Sequence, residues 1–127
     1  MTRIDEFTID GKNFVSIDFS DIQISSDFVN LVKIVKLRIA EHPENSVYTI
    51  TNLYEIKFVS EIKRATVDLL KENKPYVRYG AVFGIDGVQK MMLAEMFKLS
   101  GRTNMIFAFS REKAIEKLLK LDQGNAG

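Results

Sequence analysis

The chain has 127 residues, 46% of them hydrophobic, which fills one core and not two. Its 18 basic and 17 acidic residues leave a formal charge of +1, so no field of one sign marks nucleic acid or an anionic membrane as the partner. With no cysteine and one histidine, disulfides, thiolate chemistry and the usual nucleophile–base pairs drop out, as do most transition-metal sites.

The opening MTRIDEFTID has acids where a signal peptide needs an apolar run, and no segment approaches the ~18 apolar residues of a membrane span. The expectation is a cytoplasmic protein. Residues 3–9 can add an edge strand. KNFVSIDF (12–19) alternates as a half-buried strand does, with Val15, Ile17 and Phe19 on one face and Ser16 and Asp18 on the other. SSDFVNLVKIVKLRIAEH (25–42) changes to helical spacing. Phe28, Leu31, Val32, Val35 and Ile39 form its stripe, and Ser25, Ser26 or Asp27 can cap it. HPEN breaks it, and SVYTIT (46–51) is a short strand. A second helix runs to about Asn73, burying Val59, Ile62, Thr66, Leu69 and Leu70 opposite a charged face. YVRYGAVFG (76–84) reads as a central strand and VQKMMLAEMFKLS (88–100) as the third helix. NMIFAFS (104–110) is the fourth strand. REKAIEKLLKL (111–121) is the last helix, with Ala114, Ile115, Leu118 and Leu119 inward. DQGNAG (122–127) reads as a flexible tail.

Strands alternating with helices imply parallel strands joined by right-handed crossovers. The predicted fold is α/β: a four-turn β-α superhelix, βαβαβαβα, on a mainly parallel four-stranded sheet. Over about 12–121 this pattern resembles the STAS family, the SpoIIAA-like domains, within a bacterial branch apart from the sporulation regulators. The strand YGAVFGI with its following helix, and IFAFS leading into REKAIEKLL, carry the resemblance. It implies a single domain over residues 1–121 and a non-enzymatic regulatory role through protein binding. In the anti-sigma-factor antagonists of that family, an Asp-Ser-Ser-Gly-like turn holds a serine that a partner kinase phosphorylates. The corresponding stretch here, NLYEIKFVSEIKRAT, offers Phe58-Val59-Ser60-Glu61, with no acid before the serine and no glycine after it. Ser60 is the candidate phosphosite, and it reads first as a helix cap.

Loops at the carboxyl ends of the strands should gather Asp18, Thr51, Asn52, Asp86 and Ser110 into a polar rim, with Ser20, Asp21 and Arg111 nearby. The turn Gly84-Ile85-Asp86-Gly87 sits there. It lacks the Lys-Ser/Thr of a P-loop and the third glycine of a dinucleotide fingerprint, so Asp86 reads as a cap rather than part of an anion cradle. Asp18 with Asp86 comes without the flanking ligands of a cation or acid–base site. His42 falls at a helix C-terminus, where the dipole favours it. No cofactor is expected.

Two helices carry more apolar surface than one core stripe needs. Val29, Ile34 and Leu37 lie off the first stripe. If Val88, Met92, Met96 and Leu99 face the sheet, Leu93 and Phe97 are left at the margin. These five off-stripe positions, Val29, Ile34, Leu37, Leu93 and Phe97, make a candidate interface for a protein partner or a twofold homodimer. The alternative is a small apolar ligand between sheet and helices, by analogy with Sec14-type domains, lined by Met91, Met92, Met96, Phe83 and Phe107.

Overall fold

Strand pairing follows chain order. In the computed structural model, which describes residues 2–123, five strands lie side by side as they occur in the sequence. They are β1 (Ile4–Ile9), β2 (Lys12–Asp18), β3 (Val47–Asn52), β4 (Val77–Phe83) and β5 (Met105–Phe107). The extra N-terminal strand is present, antiparallel to β2 from Ile4↔Ile17 to Ile9↔Lys12, and the other three pairings are parallel. Asp10 and Gly11, both at positive φ (51° and 75°), make the two-residue hairpin turn, the conformation that an Asp-Gly pair favours.

Consecutive order decides where the helices go. Successive right-handed crossovers running one way across a sheet leave their helices on one face. α1 (Ser25–Ile39), α2 (Ser60–Asn73) and α3 (Gly87–Leu99) are those crossovers. Phe28, Val32, Ile62, Leu69, Leu93 and Met96 pack from them onto Val15, Ile17, Val77 and Val82 in the larger core. α4 (Arg111–Gln123) follows the last strand and closes the other face, Ala114 and Leu118 meeting Phe14, Tyr48, Ile50 and Ala81. Along that face Phe7, Phe14, Tyr48 and Tyr79 form a row across four strands, with ring centroids 5.4, 5.4 and 6.3 Å apart.

Several boundaries differ from the sequence reading. α1 has Ile24 at its N-cap and no side-chain cap, so none of Ser25, Ser26 and Asp27 serves there. Val59 caps α2 through its backbone and is exposed, not buried. β5 stops at Phe107. α4 continues through Asp122, whose carboxylate accepts from Arg78 Nε at 2.9 and 3.2 Å. Residues 122 and 123 of the tail expected at 122–127 thus belong to α4, and residues 124–127 lie outside those described.

Two polar clusters tie the layers together. Arg102, in the turn between α3 and β5, is only 5% exposed. It donates from Nη1 to Leu70 O (3.0 Å) and Asn73 Oδ1 (2.5 Å), and from Nε to Asn104 Oδ1 (3.0 Å). No carboxylate pairs with it among the described residues. It faces instead the Leu70 carbonyl in the last turn of α2, at the negative end of that helix dipole. Burial pushes its pKa down to about 10, which leaves it charged at neutral pH.

The second cluster pins β1 to the end of α1. Glu6 accepts from Arg38 Nε (2.9 Å) and Nη2 (2.5 Å) and from His42 Nε2 (2.6 Å). His42 thus has a specific carboxylate partner besides the helix end. Burial opposes the charge on Glu6, but the hydrogen bonds and charges of Arg38 and His42 prevail and lower its pKa. A carboxylate with a lowered folded pKa contributes stability above its unfolded value and loses it as pH falls through the folded one. Glu6→Gln should therefore be less stable than the parent at neutral pH. That difference should begin to shrink as pH falls past the ordinary carboxylate value of 4.5 and be gone only below the lowered folded value. Urea unfolding of both chains at neutral pH and in steps down to pH ~2 checks this; a gap that does not narrow in acid would remove the ionic explanation.

Candidate functional site

The residues predicted for the polar rim lie at or just beyond the carboxyl ends of β2 to β5, and several of their side chains are engaged locally. Asp18 Oδ1 accepts from Ser20 N at 2.9 Å, while Arg3 Nη1 donates to the carbonyls of Asp18 (3.0 Å) and Ser20 (2.9 Å). Asn52 Oδ1 accepts from Tyr54 N (3.0 Å) and Ser110 Oγ from Lys113 N (3.1 Å). Thr51 is half-buried on β3. Asp86 caps α3, accepting from Gln89 N at 2.8 Å, and Gln89 Oε1 accepts in return from Asp86 N at 3.0 Å. Gly84 holds φ +83°, and a Cβ there would lie 2.7 Å from Asn52 Oδ1 and 2.9 Å from Tyr54 N. The Gly84–Gly87 turn is a tight exit from β4 and a reciprocal cap for α3. Asp18 and Asp86 follow strands separated by β3, about 10 Å apart by strand spacing.

The sequence reading missed what lies beside that turn. The connections after β4 and β5 leave for opposite faces of the sheet, which opens a crevice at the carboxyl ends of those strands. It encloses about 520 Å³ between the β3–α2 loop and the two turns, with Tyr54, Lys57, Ile85 and Phe109 among its walls. Phe109 is 87% exposed. Lys90 Nζ lies 5.5 Å from its ring centroid, a cation–π contact that fixes part of the wall. Reading Phe109 as part of a strand hid this exposure. Ser60 is not a cap: it is the exposed first residue of α2, after Val59.

No protein-family model matches this sequence, and no curated protein matches it. Among solved structures, a serine-to-glutamate variant of Moorella thermoacetica RsbS superposes with a TM-score of 0.70 at 14% identity, over 96% of this chain and 99% of that one. The fold is STAS-like. The mainly parallel sheet and four helices match the SpoIIAA-like fold expected from the sequence, and the possible N-terminal edge strand is present as a fifth, antiparallel one.

The STAS-like framework also sorts the apolar candidates. Leu93 (1% exposed) and Phe97 (8%) are core residues, not interface. α3 turns them and Met96 to the sheet, Phe97 against the ring of Phe107 at 5.7 Å, and leaves Val88, Met91 and Leu99 outside. Val29 is half-buried against the core. Ile34 and Leu37 remain as predicted on the outer side of α1, 50% and 71% exposed. The apolar ligand cavity does not form. Met91 is exposed, Phe83 packs on the α4 face and Phe107 on the other. The void between sheet and helices is about 40 Å³, against the ~300 Å³ or more of a ligand pocket. Among the described residues, no helix is long and apolar enough to cross a membrane.

Proposed function

We propose that this STAS-like chain is a non-enzymatic regulatory module that binds a protein, itself or another, through an apolar helix surface. The observation that carries the reading is the pair Ile34 and Leu37, one turn apart on α1 and exposed although the helix has a complete core stripe of Phe28, Val32, Val35 and Ile39. A helix with its stripe satisfied gains nothing in folding from two more large aliphatic side chains in water. The likeness in fold to RsbS supports a regulatory role. Ser60, exposed at the start of α2, is open to modification. The proposed site of action is the cytoplasm.

Leu37→Glu is the test. The position is 71% exposed, so stability should stay within about 0.5 kcal/mol of the parent. Light scattering over a concentration series should show the parent approaching twice 14.5 kDa while the variant stays at the single mass. If the parent is monomeric, the variant should fail to retain the proteins that the parent captures from its native cell. A variant that assembles and captures as the parent does would end the proposal.

A further inference from the structure

A second apolar surface lies on another part of the helix layer. A groove of about 610 Å³ lies between α2 and α3. Its floor is Val67 from α2 with Met92, Met96 and Leu99 from α3. Leu99 and the neighbouring Met91 are among the most exposed large apolar side chains of the molecule. The rims are charged, and unequally so. On the α2 side stand Lys63, Arg64 and Lys71, none of them in an ion pair among the described residues. The one acid of α2 among the residues lining the groove, Asp68, is already paired with Lys36 of α1. The α3 side contributes Glu95.

We infer that this groove receives an amphipathic helix of a partner protein, acidic along the flank that faces α2. Lys63 and Lys71 are eight residues apart, so their backbone positions lie about 12 Å apart along the axis, a little over two helical turns and on either side of Val67. A helix laid in the groove meets them with two carboxylates at the same eight-residue spacing, while its apolar stripe covers Met92, Met96 and Leu99. Methionines suit such a floor because they repack around different apolar side chains at little cost. Glu95 on the opposite rim disfavours acids on the second flank, which sets the orientation of the partner. The proposal rests on the reading of the chain as an interaction module, but on a different face from Ile34 and Leu37.

The test uses the full chain and two synthetic amphipathic peptides of about 16 residues, long enough to form a helix when docked. One carries glutamates eight residues apart beside a leucine stripe; the other carries lysines in their place. Fluorescence anisotropy should show the glutamate peptide binding about tenfold more tightly than the lysine peptide. That preference should shrink as salt is raised toward about 1 M. Lys63→Glu with Lys71→Glu should reverse the preference. Both side chains are exposed and unpaired, so the double variant folds. Leu37→Glu should bind the peptide as the parent does, even if it loses self-association. Equal binding of the two peptides, binding of neither, or capture by phosphatidylglycerol vesicles in place of the peptide would each overturn the inference.

Discussion

Replacing Arg102 by alanine should cost the fold about 3 kcal/mol, the sum of two acceptors or more left short of donors in a buried site. The guanidinium supplies Leu70 O, Asn73 Oδ1 and Asn104 Oδ1 together. Asn104 in turn donates from Nδ2 to Val77 O (2.9 Å) and Arg78 O (3.0 Å). One side chain therefore links the end of α2, the turn after α3 and the start of β4. Its truncation leaves a polar hollow that water fills only in part. For a chain of this size the melting temperature should fall by about 10 °C. Arg102→Lys should recover little, because an ammonium is a point charge and cannot present the planar fork that reaches three oxygens. Thermal unfolding of the three chains decides it. Stability within about 0.5 kcal/mol of the parent would mean that the network is incidental.

Leu118→Ala should be of similar size, about 3 kcal/mol, by the combined loss of burial and the cavity left behind. Leu118 is fully buried, and its helix is the cover for Phe14, Tyr48, Ile50 and Ala81. Three helices share the opposite face, so a void there is met by several neighbours. On this face one helix has the whole task. Leu119, half-buried on the same helix, should lose no more than about 1 kcal/mol on truncation. Hydrogen exchange should report the difference locally. Amides of α4 in Leu118→Ala should exchange faster, while those of α1 and α2 keep their protection. Uniform acceleration everywhere would show that α4 opens only with the whole domain.

How much of this was legible depends on how sharply each helix divides its charge from its apolar residues. α2 carries Glu61, Arg64, Asp68 and Lys71 on one side; Ile62, Thr66, Leu69 and Leu70 are buried as read, Val59, which precedes the first turn, is not, and Ala65 and Asn73 join the buried set. α3 is apolar over half its circumference, so its rotation was not readable. Val88 and Leu99 were expected to face the sheet but are exposed, while Leu93 and Phe97 are buried, Phe97 against the ring of Phe107; Met92 does pack on the core. The cap at Asp86 was readable because its requirements are local, an acid before the helix and Gln89 three residues later. The same rule misplaced Ser60, where the backbone of Val59 occupies the cap position and the hydroxyl falls one residue late. Arg102 left no trace, since one arginine in a polar turn looks like any solvated cation. The crevice at Phe109 depends on where β5 ends, and a strand of three residues is below what periodicity resolves.

The order of the strands has a further consequence for how the domain is made. Each parallel strand finds its neighbour among the residues just synthesised, so the sheet and its three-helix side can assemble as the chain leaves the ribosome, without waiting for distant sequence. The other side cannot. The aromatic row of Phe7, Phe14, Tyr48 and Tyr79 is complete once β4 has emerged, yet its cover, α4, comes after all the strands. For the time it takes to translate α3, β5 and α4, the nascent domain carries a bare greasy surface on a sheet that lacks only its last, three-residue strand. That interval is when a chaperone would engage it, and when two chains on one messenger are most prone to stick together.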